Sequence, residues 1–382
     1  MAGKSIKSDN RGSSLFGFNV SGKTREYHTY ESAKTALPPG IEATGGLTTS
    51  ITDGSKNYKV HTFLATGVFE VTSTGPLSSE IEYLVVAGGG SGGQNLSGGG
   101  GAGGLRTNLS GHPLAADPYT VGIGTYQVTV GAGGASVTAH NNKGNPGNDS
   151  EFYPPAASYP NAAFIRAVKG GGGSGGPGGA THVSNAAGGS GGGAPGYGYP
   201  PGVGGAGNTT DPNHPKIQGY PGGNNVGNPT SAGYGNNYIG GGGGGAAGAG
   251  LRGDAGNEGG DGSTTGNGGA GVQVNIDGNN YYYAGGGGAG AYTSTDSGRH
   301  AGDGGIGGGG GGASNDTNTK GIGGGSARNS GGDGTPSPTS GNGQGGTGGE
   351  NTGGGGGGCG HDANPDSGAG GKGIVIIRYQ VP

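Results

Sequence analysis

The clearest hydrophobic pattern is in three short segments near the start of the chain, where β-branched and aromatic side chains concentrate. The segments are Tyr58–Leu64, Gly67–Thr72 and Glu80–Ala87. In the second one, Glu70 lies between Phe69 and Val71, the period of two that sends alternate side chains to opposite faces of a strand. Short turns rich in Gly, Ser and Thr separate the segments. The pattern predicts three consecutive strands arranged as a meander.

A second strong strand signal lies at the end of the sequence. Within Gly373–Val381, residues Ile374–Ile377 form a continuous apolar run, which is typical of a strand covered on both faces. No apolar run of comparable strength lies between Ala87 and Gly373. We therefore expect this last strand to lie beside Tyr83–Ala87 and to close one long insertion. Two weaker strands could join the same sheet system, Gln127–Val130 and Val272–Ile276.

The beginning of the chain differs from both regions. Residues 1–55 are polar, with a few aromatic side chains and one plausible helix at Tyr27–Ala36. Two prolines follow that helix and end it, because proline lacks a backbone N–H and restricts the residue before it. We predict an N-terminal attachment arm at 1–55 that docks on a neighbouring protein. The other predicted domains are a β base, residues 56–87 with 373–382, and a glycine-rich body, residues 88–372.

Composition limits how the body can fold. Glycine supplies 111 of the 382 residues and proline another 21, whereas hydrophobic residues reach only 27%. A conventional side-chain core over the whole length is therefore excluded, and this much glycine often signals disorder. Disordered chains usually carry a high net charge as well. Here charged residues are 11% and the net charge is −4, so the sequence favours an ordered body and predicts no nucleic-acid partner.

Runs of consecutive glycine indicate which ordered structure is available. The longest are Gly240–Gly245, Gly307–Gly312 and Gly353–Gly358. They break a collagen register, and glycine and proline interrupt every potential α-helix. What remains is the polyproline II conformation adopted by glycine, with three residues per turn and roughly 19 Å of length for six residues. Such polyglycine II helices have no internal hydrogen bonds, so each must bond to its neighbours. Their backbones can approach closely because no Cβ intervenes.

The predicted fold class is therefore mostly β plus irregular structure. A small β-sandwich-like base carries a long glycine-rich insertion that is packed as polyglycine II helices.

The two ends of this arrangement resemble a known family. The opening motif is Glu82-Tyr83-Leu84-Val85-Val86-Ala87-Gly88-Gly89-Gly90, and the closing motif is Gly371-Lys372-Gly373-Ile374-Val375-Ile376-Ile377-Arg378-Tyr379. With glycine-rich blocks between them, residues 58–379 are similar to the glycine-rich domain of tailed-phage tail-fibre and adhesin proteins. The resemblance implies a virion protein at or near a fibre tip that binds the host surface. In the similar distal adhesins of T-even-like long tail fibres, glycine helices stack into a sandwich and loops at one end contact the receptor. Residues 1–55 depart from those adhesins.

Motifs for catalysis or cofactor binding have little support. Gly88–Gly93 fits G-x-G-x-x-G, but a dinucleotide site needs a helix next, and residues 94–99 cannot form one. Cys359, His361 and Asp362 offer three kinds of metal ligand without a second cluster to complete a tetrahedral site. A single cysteine also excludes an internal disulfide. We expect no cofactor, no metal site and no enzyme activity.

The aromatic residues give the positive functional signal. Many of the 18 tyrosines lie in polar segments between the glycine runs, above all in residues 194–239, with 141–160 second. Tyr offers a large contact area at low entropic cost and Asn offers adaptable hydrogen bonds, a combination used by antibody loops. Alternatively, these tyrosines cover the flanks of a body that has no side-chain core. The candidate receptor-binding residues are Tyr197, Tyr199, Asn208, Asp211, His214, Tyr220, Asn224, Tyr234 and Tyr238.

The expected function is that of a virion tail-fibre or adhesin protein, located at a phage tail or fibre tip. It would bind a host cell-surface receptor, either a saccharide or an outer-membrane protein, and other virion tail or fibre proteins through residues 1–55. It would be a homotrimer or a monomer that caps a trimeric fibre. Neither a signal peptide nor a membrane span is visible in the sequence. The alternative is a purely structural virion decoration or extracellular matrix protein without receptor binding.

Overall fold

The computed structural model describes residues 40–75, 79–155, 163–176, 187–197, 202–208, 216–225, 238–253, 266–292, 300–315, 320–326, 328–336, 343–361 and 366–382. The chain divides into two units, Met1–Leu37 and Pro38–Pro382, and all of these residues belong to the second. The predicted helix at Tyr27–Ala36 and most of the predicted arm therefore lie outside the described residues.

Within the described residues, every regular secondary-structure element is a β-strand, which confirms the predicted mostly β fold class. The strands are β1 Glu42–Thr44, β2 Leu47–Asp53, β3 Lys56–Phe63, β4 Gly67–Ser73, β5 Glu80–Val86, β6 Leu105–Thr107, β7 Tyr119–Thr120, β8 Gly124–Thr129, β9 Ser150–Tyr153, β10 Ile165–Ala167, β11 Tyr238–Ile239, β12 Val272–Val274, β13 Tyr281–Tyr283, β14 Ala291–Tyr292 and β15 Ile374–Val381.

One sheet has the strand order β2-β3-β15-β5-β6, with β7 also paired to β5. The closing strand β15 lies between β3 and β5 and is antiparallel to both. Ile374 is opposite Val86 and Ile377 is opposite Tyr83, so the predicted pairing of the last strand with Tyr83–Ala87 is confirmed. Residues 42–53, assigned to the N-terminal arm by their polarity, form β1 and β2. Their β-branched residues suit an exposed edge strand, which needs few apolar side chains.

A second sheet has the order β1-β4-β8-β9-β10. The predicted strands at 58–64, 67–72 and 80–87 exist as β3, β4 and β5, but the predicted meander is wrong. β15 separates β3 from β5, and β4 belongs to the second sheet. Sequence neighbours are therefore divided between two layers, because the apolar faces of both sheets are needed to enclose one core.

The two sheets form a sandwich with an aromatic core. Phe69 of β4 makes edge or tilted contacts with Phe152 and Tyr379, at ring-centroid distances of 6.1 and 6.4 Å. The fully buried imidazole of His61 lies in the same core. Its Nδ1 donates to the Gly45 carbonyl at 2.7 Å, and its Nε2 accepts from the Tyr379 hydroxyl at 3.2 Å. Nδ1 carries a proton, since a carbonyl can only accept. Burial lowers the pKa of His61, so the ring is neutral at neutral pH.

The other face of the first sheet is also covered. Ile374 and Ile376 of β15 pack in a second apolar cluster with Ile276 and Tyr283, which lie in or beside the β12–β13 pair. Since Val375 and Ile377 face the sandwich core, the prediction of a strand covered on both faces is confirmed. Of the two weaker predicted strands, one joins the second sheet as β8, and the other pairs with β13 as β12 in a separate two-stranded sheet.

Backbone hydrogen bonds of the body repeat every three residues, the repeat of a polyglycine II helix. In residues 88–94, Gly88, Ser91 and Gln94 donate to the segment 142–148, while Gly89 and Gly92 donate to 368–371. The remaining donors, Gly90 and Gly93, bond to 98–101. The carbonyls of the same stretch accept from three further segments. Residues 88–94 therefore bond to six neighbours, as expected of a helix inside a hexagonal array.

Six described segments have this fully surrounded position, and they contain the glycine runs. These interior helices are 88–94, 98–104, 240–246, 285–291, 307–313 and 353–359. A Cβ on Gly243 would lie 1.9 Å from the Gly100 oxygen, and one on Gly90 would lie 2.1 Å from the Gly171 oxygen. Both distances are far inside van der Waals contact, so most positions of an interior helix accept only glycine.

Outer helices carry one exposed side chain per turn. Along 343–350 the exposed residues are Gln344, Thr347 and Glu350, three apart, and the positions between them are glycines. Polar side chains in this layer also cap backbone groups that have no helix beside them. The Asn267 Oδ1 accepts from Asp303 N at 2.8 Å, and the Asp303 Oδ1 accepts from Ile322 N at 2.8 Å. Side chains thus complete a backbone lattice at its surface.

Candidate functional site

The interior helices 88–94 and 98–104 are joined by a turn at the end of the body opposite the sheets, which we call the far end. Residues 88–94 leave β5, reverse at residues 95–97, and return as 98–104 to β6, with Gly90 N bonded to Gly101 O. Asn95 and Leu96 adopt positive φ angles of 63° and 45° to make this reversal. The turn is held at both sides, because Leu96 N donates to Gly360 O and Gly196 N donates to Leu96 O.

A row of aromatic side chains lies at the far end. Tyr197 meets Tyr238 edge to face at 5.0 Å between ring centroids, and Tyr238 stacks on Tyr292 at 6.3 Å. His361 continues the row at 4.8 Å from Tyr292. The pairing of β11 with β14 places Tyr238 directly opposite Tyr292. We call Tyr197, Tyr238, Tyr292 and His361 the aromatic row.

The row is partly open to solvent. Tyr197 is 37% exposed, and the other three side chains are half-buried. Partial burial, with smaller contributions from Tyr197 and Tyr292, raises the pKa of Tyr238 above its usual value, so its hydroxyl stays protonated at neutral pH. The row therefore offers ring faces and edges together with hydroxyl groups that can donate or accept.

Two of the predicted site residues belong to the aromatic row, and two of its members were missed. Tyr197 and Tyr238 were predicted, whereas Tyr292 and His361 lie outside the segment 194–239. What distinguishes these residues in the sequence is their position next to a glycine-rich helix. Tyr238 precedes an interior helix by two residues, Tyr292 directly follows another, and His361 follows a third by two. A search of the sequence for aromatic residues within two positions of a glycine-rich helix would have identified all three.

Other predicted site residues lie on the flank of the body and have structural partners. The Asn208 Oδ1 accepts from Gln218 N at 3.0 Å, and the Asn224 Oδ1 accepts from Gly204 N at 2.9 Å. Both amides therefore hold neighbouring outer helices together. Tyr220 is half-buried in the same layer, and its backbone bonds to an interior helix through Gly245. The remaining predicted residues lie outside the described residues: Tyr199, Asp211, His214 and Tyr234.

Cys359 lies near the far end but is enclosed by the lattice. It is fully buried, and burial raises the pKa of its thiol to about 12. Ser97 Oγ and Gly93 O bond to its backbone N–H. A thiol that stays protonated and shielded is a weak nucleophile and a poor metal ligand. Among the described residues, no group of three His, Cys, Asp or Glu side chains lies close enough together to hold a metal ion.

A polar cavity of about 630 Å³ lies at the other end of the molecule, beside the outer ends of β3, β5 and β15. Arg378 is its main cation. The guanidinium bonds to Glu82 at 2.6 Å and to Asp53 at 3.1 Å, and it lies over the Tyr58 ring at 4.3 Å. Because the charges are paired with one another, this cluster is explained as a structural support of the sheet.

Family comparison adds a firm assignment. A family model described as a glycine-rich domain matches residues 65–335, more than half of the chain. The chain belongs to this glycine-rich domain family. No curated protein matches the chain. Within its described residues, the glycine-rich domain protein has no helix long and apolar enough to cross a membrane.

The family match covers β4 to β14 and most of the glycine lattice. In this glycine-rich domain the lattice fills the positions that side chains fill in an ordinary core. Chemical variety is therefore confined to the outer helices, the sheets and the far end. The aromatic row is the largest group of exposed or half-exposed rings in contact with one another that the described residues contain.

Proposed function

We propose that the protein is a virion tail-fibre or adhesin protein that attaches a phage to its host. The far end binds a host cell-surface receptor, a saccharide or an outer-membrane protein. The observation that carries the proposal is the aromatic row. It gathers side chains from four separate stretches of the chain at the end of a body whose interior is backbone. Rigid elements that present aromatic rings at one end are a common design for binding surfaces.

The chemistry of the row suits either kind of receptor. Tyrosine faces pack against the C–H groups of sugar rings or against apolar side chains, while the hydroxyls supply hydrogen bonds. The lattice below the row is braced by six-neighbour helices, so little conformational entropy is lost when a receptor is bound. Membership of the glycine-rich domain family supports only the assignment of the glycine-rich body. The assignment to a phage fibre rests on the resemblance of the opening and closing motifs.

Cell-binding assays can test the far end with a matched control. We expect Tyr238→Ala and Tyr292→Ala to weaken binding of the labelled chain to intact bacteria from a strain panel by about tenfold or more, because hot-spot tyrosines contribute about 2 kcal/mol. Tyr220→Ala, on the flank, should bind like the parent chain. Periodate treatment of the cells destroys a saccharide receptor, and protease treatment destroys a protein receptor. Equal binding by all three variants would refute the site.

A specific observation favours the structural alternative. Asn208 and Asn224, both predicted to bind a receptor, cap backbone N–H groups of neighbouring helices with their side-chain oxygens. A decoration or matrix protein would need such bracing and no receptor. It predicts many copies in each particle and no binding of the isolated chain to any cell. Counting copies in intact particles separates the two functions.

A further inference from the structure

The edge strand β2 differs from the other sheet edges. It is seven residues long and pairs with β3 in a continuous register from Leu47 opposite Thr62 to Asp53 opposite Lys56. The opposite edges are short: β1, β6 and β10 have three residues each, and β1 has a register shift beside Ala43. Natural proteins usually blunt an edge with a bulge, a proline or a lysine. Residues 47–53 contain none of these.

The outer side of β2 is free in the part of the chain that the structure describes. Six of its seven residues are exposed and Ile51 is half-buried. Backbone hydrogen bonds of 47–53 to any described segment other than β3 are absent. An unpaired row of N–H and C=O groups is a template for another strand. The short edges of the second sheet cannot offer a comparable length.

We propose that β2 pairs with β2 of a second copy of this chain, antiparallel and across a two-fold axis at Ser50. The central five residues, Thr48 to Thr52, are self-complementary in this register, and Leu47 faces Asp53 at each end. Ser50 meets its own copy, Thr48 meets Thr52, and Thr49 meets Ile51. Cross-strand Thr and Ser pairs and pairs of β-branched residues are favourable, and no like charges face each other. The result is a single sheet that continues through both copies, with the isologous contact expected of a two-fold dimer.

The contact is small, so the dimer is weak. A strand edge of seven residues buries less surface than the roughly 800 Å² per partner of a stable interface. Because the strands are antiparallel, the two bodies point in opposite directions. The inference does not depend on the receptor proposal, since it uses neither the far end nor any host.

Cysteine cross-linking can test the register directly, because the only native cysteine is buried. Ser50→Cys places two thiols opposite each other, within the roughly 4.4–6.8 Å Cα separation that a disulfide allows. We expect the oxidised S50C chain to form a covalent dimer at least about tenfold faster than Glu70→Cys. Glu70 is the matched control, since it is exposed in β4 but is paired on both sides, with Thr44 and Thr125.

A mixing experiment gives an independent check on the same register. Thr48→Cys and Thr52→Cys should cross-link when the two variants are mixed, and much less when each is oxidised alone. Sedimentation of the parent chain should show a monomer–dimer equilibrium at high concentration, and Ser50→Lys should abolish it because two lysines would meet at the axis. A parent chain that stays monomeric, or S50C that cross-links no faster than E70C, would overturn the proposal.

Discussion

Replacing one interior glycine by alanine should test whether the body is a backbone lattice. The perturbation is Gly243→Ala, in the interior helix 240–246. Its Cβ would lie 1.9 Å from the Gly100 oxygen, about 1.5 Å short of an ordinary contact. The obstacle is backbone from another interior helix, so no side-chain rotation relieves it.

The expected magnitude follows from the bonds that must be stretched. Gly243 N donates to Gly287 O at 2.8 Å, and Gly243 O accepts from Gly269 N at 2.8 Å. Each buried polar group left without a partner costs about 1–3 kcal/mol, and overpacking adds a similar amount. We expect the free energy of unfolding to fall by about 3–5 kcal/mol, a value typical of the most damaging substitutions.

Gly248→Ala is the matched control. A Cβ there would meet only Ala270 N, at an ordinary 3.7 Å, and Gly248 does not have a positive φ. Alanine at such a site is expected to be neutral or to stabilise by up to about 1 kcal/mol through the unfolded chain. Urea unfolding followed by circular dichroism and tyrosine fluorescence measures both variants. If G243A and G248A have the same unfolding free energy, the lattice account is refuted.

Three further outcomes are expected. Burial lowers the pKa of His61, so on acidification the unfolded chain binds the proton before the folded chain does. The contribution of His61 to stability is therefore complete above about pH 6.5, and the free energy of unfolding falls below that pH by at most about 1.4 kcal/mol per pH unit. His61→Gln should flatten this fall in urea titrations at about pH 7.5 and about pH 5.5. Asn224→Ala should lower the free energy of unfolding by about 0.5–1.5 kcal/mol, whereas Asn224→Asp should lower it less because the carboxylate keeps an acceptor for Gly204 N. Equal losses in the two variants would contradict the capping role. Because burial raises the pKa of the Cys359 thiol to about 12, Ellman's reagent should react with it only after denaturation, and rapid labelling of the folded chain would show that the lattice opens.

The sequence was most informative where side chains carry the fold. Phe69, Val71 and Ile374–Ile377 show their strands by pattern, and the pairing of β15 with β5 followed from the shortage of other apolar runs. The division of β3, β4 and β5 between two sheets was not predictable, since short turns are compatible with a meander or with a crossing between layers. β2 was missed because its exposed Thr and Ser residues lack an apolar face.

The body was predictable in kind but not in arrangement. Glycine runs indicated polyglycine II helices, yet nothing in Gly240–Gly245 shows that Gly243 bonds to Gly287 and not to another glycine. The site was predicted in part for the same reason. Tyr197 and Tyr238 stand out by composition, whereas Tyr292 and His361 become neighbours only through the order of the helices in the array.

The interior helices have a consequence for how the chain finds its alignment. Identical residues carry no positional information, so a glycine run that slides by one turn, three residues, presents the same donors and acceptors to its neighbours. Alignment must therefore be encoded at the ends of each run. For residues 88–104 these ends are β5, β6 and the reversal at Asn95 and Leu96. The few non-glycine residues at these junctions therefore determine the alignment of each glycine run with its neighbours.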